Sequence, residues 1–225
     1  MKKIFLPIAL LFFGMVMAQD TGEDNWGAWY MYFGTNQVSD KLSIHSEAQF
    51  RYYETGGNFN QLLLRTGLNY HINSNAIATL GYAYIGTDNT FEEIVNEVDF
   101  KENRVFQQFI LRNKVGEFLF EHRYRLEQRF IDFGSFTDTQ HRARYRLQLT
   151  LPLTDTFFLN AYDEVFLNLQ DDIFGQNRLY FAFGINITEN SNLQIGYLKN
   201  HFDQINFDRL QIAVFFNPDL RKKSK

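Results

Sequence analysis

The sequence predicts an all-β chain, folded as a single antiparallel up-and-down transmembrane β-barrel of about 10–12 strands. Three observations predict it. The chain body is a succession of two-residue alternations, most of them 10 to 14 residues long. Each alternation pairs a greasy face with a wet one. The connections alternate short and long. Composition agrees: aromatics are 17% of the 225 residues, with Phe 25 and Tyr 12 against Pro 3 and Cys 0. Aromatic residues favour strands and membrane interfaces. The absence of cysteine excludes disulfides, thiolate metal sites and a cysteine nucleophile. No run in the body reaches the roughly 18 apolar residues of a membrane helix, so a helical bundle is excluded. A formal charge of −4 argues against nucleic acid as a partner.

The first element is a targeting segment, residues 1–18. Lys2 and Lys3 precede an apolar run from Ile4 to Met17, and Val16-Met17-Ala18 offers a cleavage site before Gln19. A basic start, a short apolar run and a small-residue end make a secretory signal peptide. Pro7 and Gly14 interrupt the run, which is short for a membrane anchor. The remainder, residues 19–225, is the barrel domain. Removing two lysines takes the formal charge from −4 to −6. An exported chain without cysteine fits a bacterial envelope.

The strands follow in order: Trp26–Asn36, Leu42–Tyr53, Gln61–His71, Ala76–Gly86, Glu102–Asn113, Phe118–Ile131, Gln140–Leu151, Phe157–Leu169, Gln176–Ile187, Leu193–Asn200 and Phe207–Phe216. Soluble strands usually run about 5–6 residues, whereas tilted membrane strands need roughly 9–11. The second strand sets Leu42, Ile44, Ala48, Phe50 and Tyr52 against Ser43, His45, Glu47, Gln49, Arg51 and Tyr53. The seventh sets Ala143, Tyr145, Leu147, Leu149 and Leu151 against Arg142, Arg144, Arg146, Gln148 and Thr150. The ninth sets Leu179, Phe181, Phe183, Ile185 and Ile187 against Arg178, Tyr180, Ala182, Gly184 and Asn186. Successive side chains point to opposite faces. A membrane barrel turns the greasy face outward and the wet one inward. A soluble lipocalin-like barrel would do the reverse.

Short connections are Gln37–Lys41, Ile72–Asn75, Lys114–Glu117, Pro152–Thr156 and Thr188–Asn192. Longer ones are Glu54–Asn60, Thr87–Lys101, Asp132–Thr139, Gln170–Gly175 and His201–Asn206. Outer-membrane barrels have short periplasmic turns and longer external loops. The longest connection carries Asp88, Glu92, Glu93, Glu97 and Asp99, with no calcium-loop spacing. Eleven crossings sit awkwardly with the even count of bacterial single-chain barrels.

The run Phe120-Glu121-His122-Arg123-Tyr124-Arg125-Leu126-Glu127-Gln128-Arg129-Phe130 is the most recognisable stretch, with Ala28-Trp29-Tyr30, Arg144-Tyr145-Arg146 and Asn177-Arg178-Leu179 agreeing. On these residues the chain resembles domain-of-unknown-function family 2490, over about residues 26 to 216. The resemblance implies an uncharacterised outer-membrane β-barrel of a Gram-negative bacterium. It implies no activity and no catalytic residues.

The wet face carries the candidate chemistry. A charge network is expected from Arg104, Arg123, Arg125, Glu127, Arg129, Arg142, Arg144, Arg146 and Glu164. Hairpin geometry places Arg104 opposite Glu127, Glu127 opposite Arg144 and Arg144 opposite Glu164, in alternating sign across four strands. Cross-strand pairs of opposite charge stabilise. Twelve wet-face arginines face only Glu47, Glu121, Glu127 and Glu164, so not all can pair. The expected register leaves Arg142 and Arg146 free. Arginine-lined constrictions select anions.

Ser43, His45 and Glu47 share one face and hold the inventory of a hydrolase triad. No oxyanion donor accompanies them. The five histidines are scattered without metal spacing, and His122 lies on the greasy face. Trp26, Trp29, Tyr52, Tyr70, Tyr84, Tyr162 and Tyr197 suit interfacial girdles. The expected function is a narrow pore or binding barrel for small anionic solutes, embedded in outer-membrane lipid. No enzymatic activity, metal or cofactor is expected. The rivals are a closed structural or interaction barrel with a plugged lumen and functional external loops, and a lipid-modifying hydrolase.

Overall fold

The computed structural model describes residues 22–88, 90–92, 99–170 and 172–221. The targeting segment, its cleavage site, Glu93 and Glu97 lie outside the described residues. Eleven strands form: β1 Gly27–Gln37, β2 Leu42–Tyr52, β3 Phe59–Asn73, β4 Ala76–Thr87, β5 Phe100–Val115, β6 Phe118–Asp132, β7 Thr137–Pro152, β8 Phe157–Asn168, β9 Phe174–Thr188, β10 Ser191–His201 and β11 Asn206–Phe216. No helix occurs among the described residues.

Consecutive strands pair antiparallel, and β1 closes against β11. That seam is parallel, from Gly27 opposite Arg209 to Gly34 opposite Phe216. An odd strand count makes this unavoidable, because the first and last strands of an up-and-down meander then run the same way. The barrel expectation holds with eleven strands, and the seam is its one departure from antiparallel pairing. The seam continues past β11, where Gln37 donates to Pro218 O at 3.0 Å and Leu220 donates to Gln37 O at 2.8 Å. The two ends of the described chain therefore sit at opposite mouths.

Turns 74–75, 116–117 and 189–190 are two residues long. In the second, Gly116 at φ 60° supplies the left-handed conformation that a tight hairpin requires. The longest loop, 88–99, lies at the other mouth. Strands of 11–16 residues rising about 3.3 Å per residue have the length of tilted membrane strands.

The greasy face points outward. Leu80 is 61% exposed, and Ile44, Phe50, Leu68, Leu126 and Phe181 are exposed beside it. Aromatic rings bound this belt. At the loop mouth Trp26 meets Tyr197 at 5.7 Å, and Tyr52 meets Tyr30 at 5.9 Å and Phe59 at 5.6 Å. At the turn mouth Phe157 stacks on Phe183 at 5.4 Å. Trp29 and Tyr162 leave the expected girdle, because their positions put them inside the lumen.

Two glycines let rings lie against the inner wall. A Cβ on Gly81 would stand 2.3 Å from Phe106, and one on Gly184 would stand 2.1 Å from Phe158. Glycine inside a strand often marks such a close approach.

Candidate functional site

All twelve wet-face arginines line one cavity of about 920 Å³. Its walls reach from Asn60 and Phe202 at the loop mouth to Pro152 and Asn217 at the turn mouth. The strand period dictates this placement. Arg123, Arg125 and Arg129 share a face of β6, and Arg142, Arg144 and Arg146 share a face of β7.

Glu127 is the hub. Its side chain is 0% exposed and lies 2.6 Å from Arg142, 2.7 Å from Arg144, 3.4 Å from Arg104 and 3.6 Å from Arg125. Glu164 binds Arg123 at 2.7 Å and Arg144 at 2.8 Å. Glu121 binds Arg146 at 2.6 Å and Arg112 at 2.9 Å. Glu47 binds Arg65 at 2.6 Å. The expected chain Arg104–Glu127–Arg144–Glu164 is thus assembled from ion pairs, with Arg123, Arg125, Arg129, Arg142 and Arg146 around it.

The expected register is corrected by two residues at each hairpin. Arg104 stands opposite Arg129, Glu127 opposite Phe106 and Arg142, and Glu164 opposite Arg146. The pairs survive because a long arginine side chain reaches diagonal neighbours at about 7–8 Å as well as direct ones. Arg142 and Arg146 are therefore not the free cations, since both hold carboxylates. Sequence reasoning also missed Glu102, which binds Arg104 at 2.7 Å and Arg129 at 2.9 Å. It shares even numbering with Arg104 on β5, so the alternation itself could have found it.

Aromatic posts stand between the cations. The Arg144 guanidinium lies 4.1 Å from the Phe166 ring centre, and Arg125 lies 4.9 Å from that of Phe106. Cation–π contact contributes roughly 0.5–2 kcal/mol and offsets part of the repulsion between neighbouring guanidiniums.

Three arginines have no carboxylate within 4 Å among the described residues: Arg51, Arg178 and Arg209, although Glu164 stands opposite Arg178 on the neighbouring strand. Arg51 donates to Gln49 and Gln61 and stacks 3.9 Å from the centre of Trp29. Arg178 stacks 4.9 Å from the same ring and 4.6 Å from Phe166. Arg209 donates to the carbonyls of Asn25 and Asp208 and lies over Phe207. Buried Trp29 Nε1 and Arg178 Nε have no hydrogen-bond partner.

Over residues 26–211 the chain matches the family described as protein of unknown function, DUF2490. The chain belongs to that family. No curated protein matches it in sequence. Among solved structures, the DUF2490 chain is similar to the siderophore receptor PirA from Pseudomonas aeruginosa, at 11% identity and a TM-score of 0.34. The match covers 77% of this chain and 34% of the receptor, so the chain spans about a third of that protein's length.

The triad inventory does not assemble in this DUF2490 barrel. His45 binds Glu47 at 3.0 Å, while the Ser43 hydroxyl binds His71 at 2.8 Å. Ser43 is 0% exposed and also accepts from Asn69 at 3.0 Å. His122 sits on the outer face and meets the Tyr145 hydroxyl at 2.9 Å. Among the described residues, no three of His, Asp and Glu converge as a metal set.

Proposed function

We propose that this chain is an outer-membrane barrel whose lumen forms a narrow pore or binding passage for small anionic solutes. One observation carries the reading: twelve arginines surround a cavity lined from both mouths, against the carboxylates of Glu47, Glu102, Glu121, Glu127 and Glu164. Twelve cations against five anions leave a formal excess of seven. A low-dielectric wall focuses that field inward. Guanidinium rings favour anions and phosphates.

The exposed apolar belt and its aromatic rims support membrane insertion, with outer-membrane lipid as the surrounding partner. The basic-apolar start of the chain supports export with cleavage near Ala18 and Gln19. No catalytic role is assigned.

Spread over a layer of roughly 25–30 Å, the 920 Å³ cavity averages about 30–37 Å² in section. An average section of that size favours small solutes over large ones. Planar-bilayer recording tests the reading. Small conductance with anion preference at low salt is expected, and cation preference would overturn it.

A second reading has its own observation. Glu127, Arg125 and Arg144 are buried across the middle of the lumen and brace it from within. A barrel that inserts but never conducts would favour that closed, structural role.

A further inference from the structure

We propose that Arg51 and Arg178, stacked on Trp29, form the seat for the carboxylate of an amphipathic anion whose alkyl or aromatic body lies along the apolar strip of the lumen wall below. The inference rests on the reading of the lumen as a passage for anions and names a ligand class for it.

Charge placement is the first argument. Nine of the twelve lumen arginines lie within 4 Å of a glutamate. Two of the remaining three converge on a single ring. Both guanidinium carbons lie within 5 Å of the Trp29 centre, so their separation cannot exceed the sum of the two distances. Two cations held this close, neither with a carboxylate within 4 Å among the described residues, create a local demand for an anion; Glu164, opposite Arg178, is already held by Arg123 and Arg144. Arg209 differs, because it lies over Phe207, away from the Trp29 ring, and its Nη1 donates to main-chain carbonyls.

Unused donors are the second argument. Trp29 is 5% exposed, yet its Nε1 has no partner, and neither has Arg178 Nε. Arg65, Arg123, Arg125 and Arg146 each leave one donor likewise, but each already has a glutamate within 4 Å. Buried donors are nearly always satisfied, and exceptions mark a place for a missing partner. A carboxylate has two oxygens and accepts from several donors at once.

The third argument selects the ligand class. Below Trp29 the β1–β11 seam presents an apolar strip, bordered by Gln49 and Glu47 on β2 and by Gln194 and Asn192 on β10. Met31 and Phe33 continue the inward face of β1, and Ala213 and Phe215 stand directly opposite them on β11. Phe33 and Phe215 stack at 4.8 Å. From Trp29 to Phe33 the strip runs about 13 Å at 3.3 Å per residue, the span of roughly eight to ten methylenes. The opposite arc, β5 to β7, is charged. Trp29, Met31 and Ala213 pack with Tyr180 and Leu198, and Phe33 and Phe215 border that cluster on the cavity side. An inorganic anion would use the seat without touching this apolar surface. An alkyl or aromatic carboxylate uses both. Each methylene buried there strengthens binding about fourfold.

The test uses the refolded barrel in lipid nanodiscs, titrated with acetate, butanoate, hexanoate, octanoate and inorganic phosphate, against empty nanodiscs. The chain has two tryptophans, so Trp26→Phe makes Trp29 emission the site-specific signal. Saturable binding is expected, rising about fourfold per methylene up to octanoate beyond lipid partitioning. Arg51→Gln with Arg178→Gln should weaken octanoate at least tenfold. This variant strands no carboxylate, and the chain-length series on the unmutated seat stands without it. Affinity flat along the series, or phosphate binding as tightly as octanoate, overturns the amphipathic assignment. Octanoate binding unchanged by the double variant overturns the seat. Anion-selective conductance with no octanoate binding sinks this inference and leaves the pore reading standing, whereas cation-selective conductance removes the pore reading itself.

Discussion

Replacing Glu127 with glutamine keeps the shape of the side chain and removes its charge. Four guanidiniums lie within 3.6 Å of that carboxylate, and its side chain has no solvent exposure. One unit pair about 3 Å apart attracts by roughly 5 kcal/mol at an effective dielectric of about 20, before desolvation is counted. Desolvation of both partners cancels much of that. Breaking one side of a buried pair still costs about 3–5 kcal/mol, because the remaining charge is left uncompensated. Glu127→Gln should therefore lower unfolding stability by that amount. In vesicle-inserted protein followed by tryptophan fluorescence, the urea midpoint should fall by roughly 1–2 M. Glu121 provides the comparison. It pairs with Arg112 and Arg146 at the edge of the network and is partly exposed. Glu121→Gln should cost about 1 kcal/mol, nearer the range of exposed pairs. Adding Arg142→Gln to Glu127→Gln should recover part of the loss, since it removes a stranded cation. An unchanged midpoint for Glu127→Gln, or equal losses at the two glutamates, would refute the hub.

Leu80 lies mid-strand on the outer face, so Leu80→Lys should cost about 2–4 kcal/mol in a lipid refolding assay if that face meets hydrocarbon. A neutral result would show that it does not. Gly81→Ala should destabilise by about 1–3 kcal/mol, because the new methyl displaces the Phe106 ring on which Arg65 and Arg125 stack. Equal urea midpoints for alanine and glycine would mean that the ring moves freely. Charge reversal at Arg142 and Arg146 sets each new carboxylate against Glu127 or Glu121, and should impair folding. Arg51→Glu with Arg178→Glu should instead shift ion preference in bilayer recordings with a smaller loss of folded yield. Comparable yields for the two double variants would contradict the pairing.

The barrel and its inner face were legible in the sequence because strand alternation is local. A side chain two residues along a strand returns to the same face whatever the neighbouring strand does. Arg51, Arg144 and Arg178 could thus be placed inside, and Leu147 and Phe181 outside, without knowledge of any partner. The count of eleven segments was equally local, and the parallel seam follows from it once the barrel closes. Glu102 was within reach of the same rule.

Pairing was not legible, because register is set between strands. A slip of two residues preserves every face, so the sequence offers no local signal against it. The expected hairpin registers were each displaced by that step, which moved Glu127 from opposite Arg144 to opposite Arg142. The arginines without a carboxylate within 4 Å are accordingly not on β7 but are Arg51, Arg178 and Arg209 on β2, β9 and β11. Tertiary closure brings Arg51 and Arg178 to one ring, since β2 and β9 are far apart in sequence and both reach Trp29 on β1, the strand at which the sheet closes.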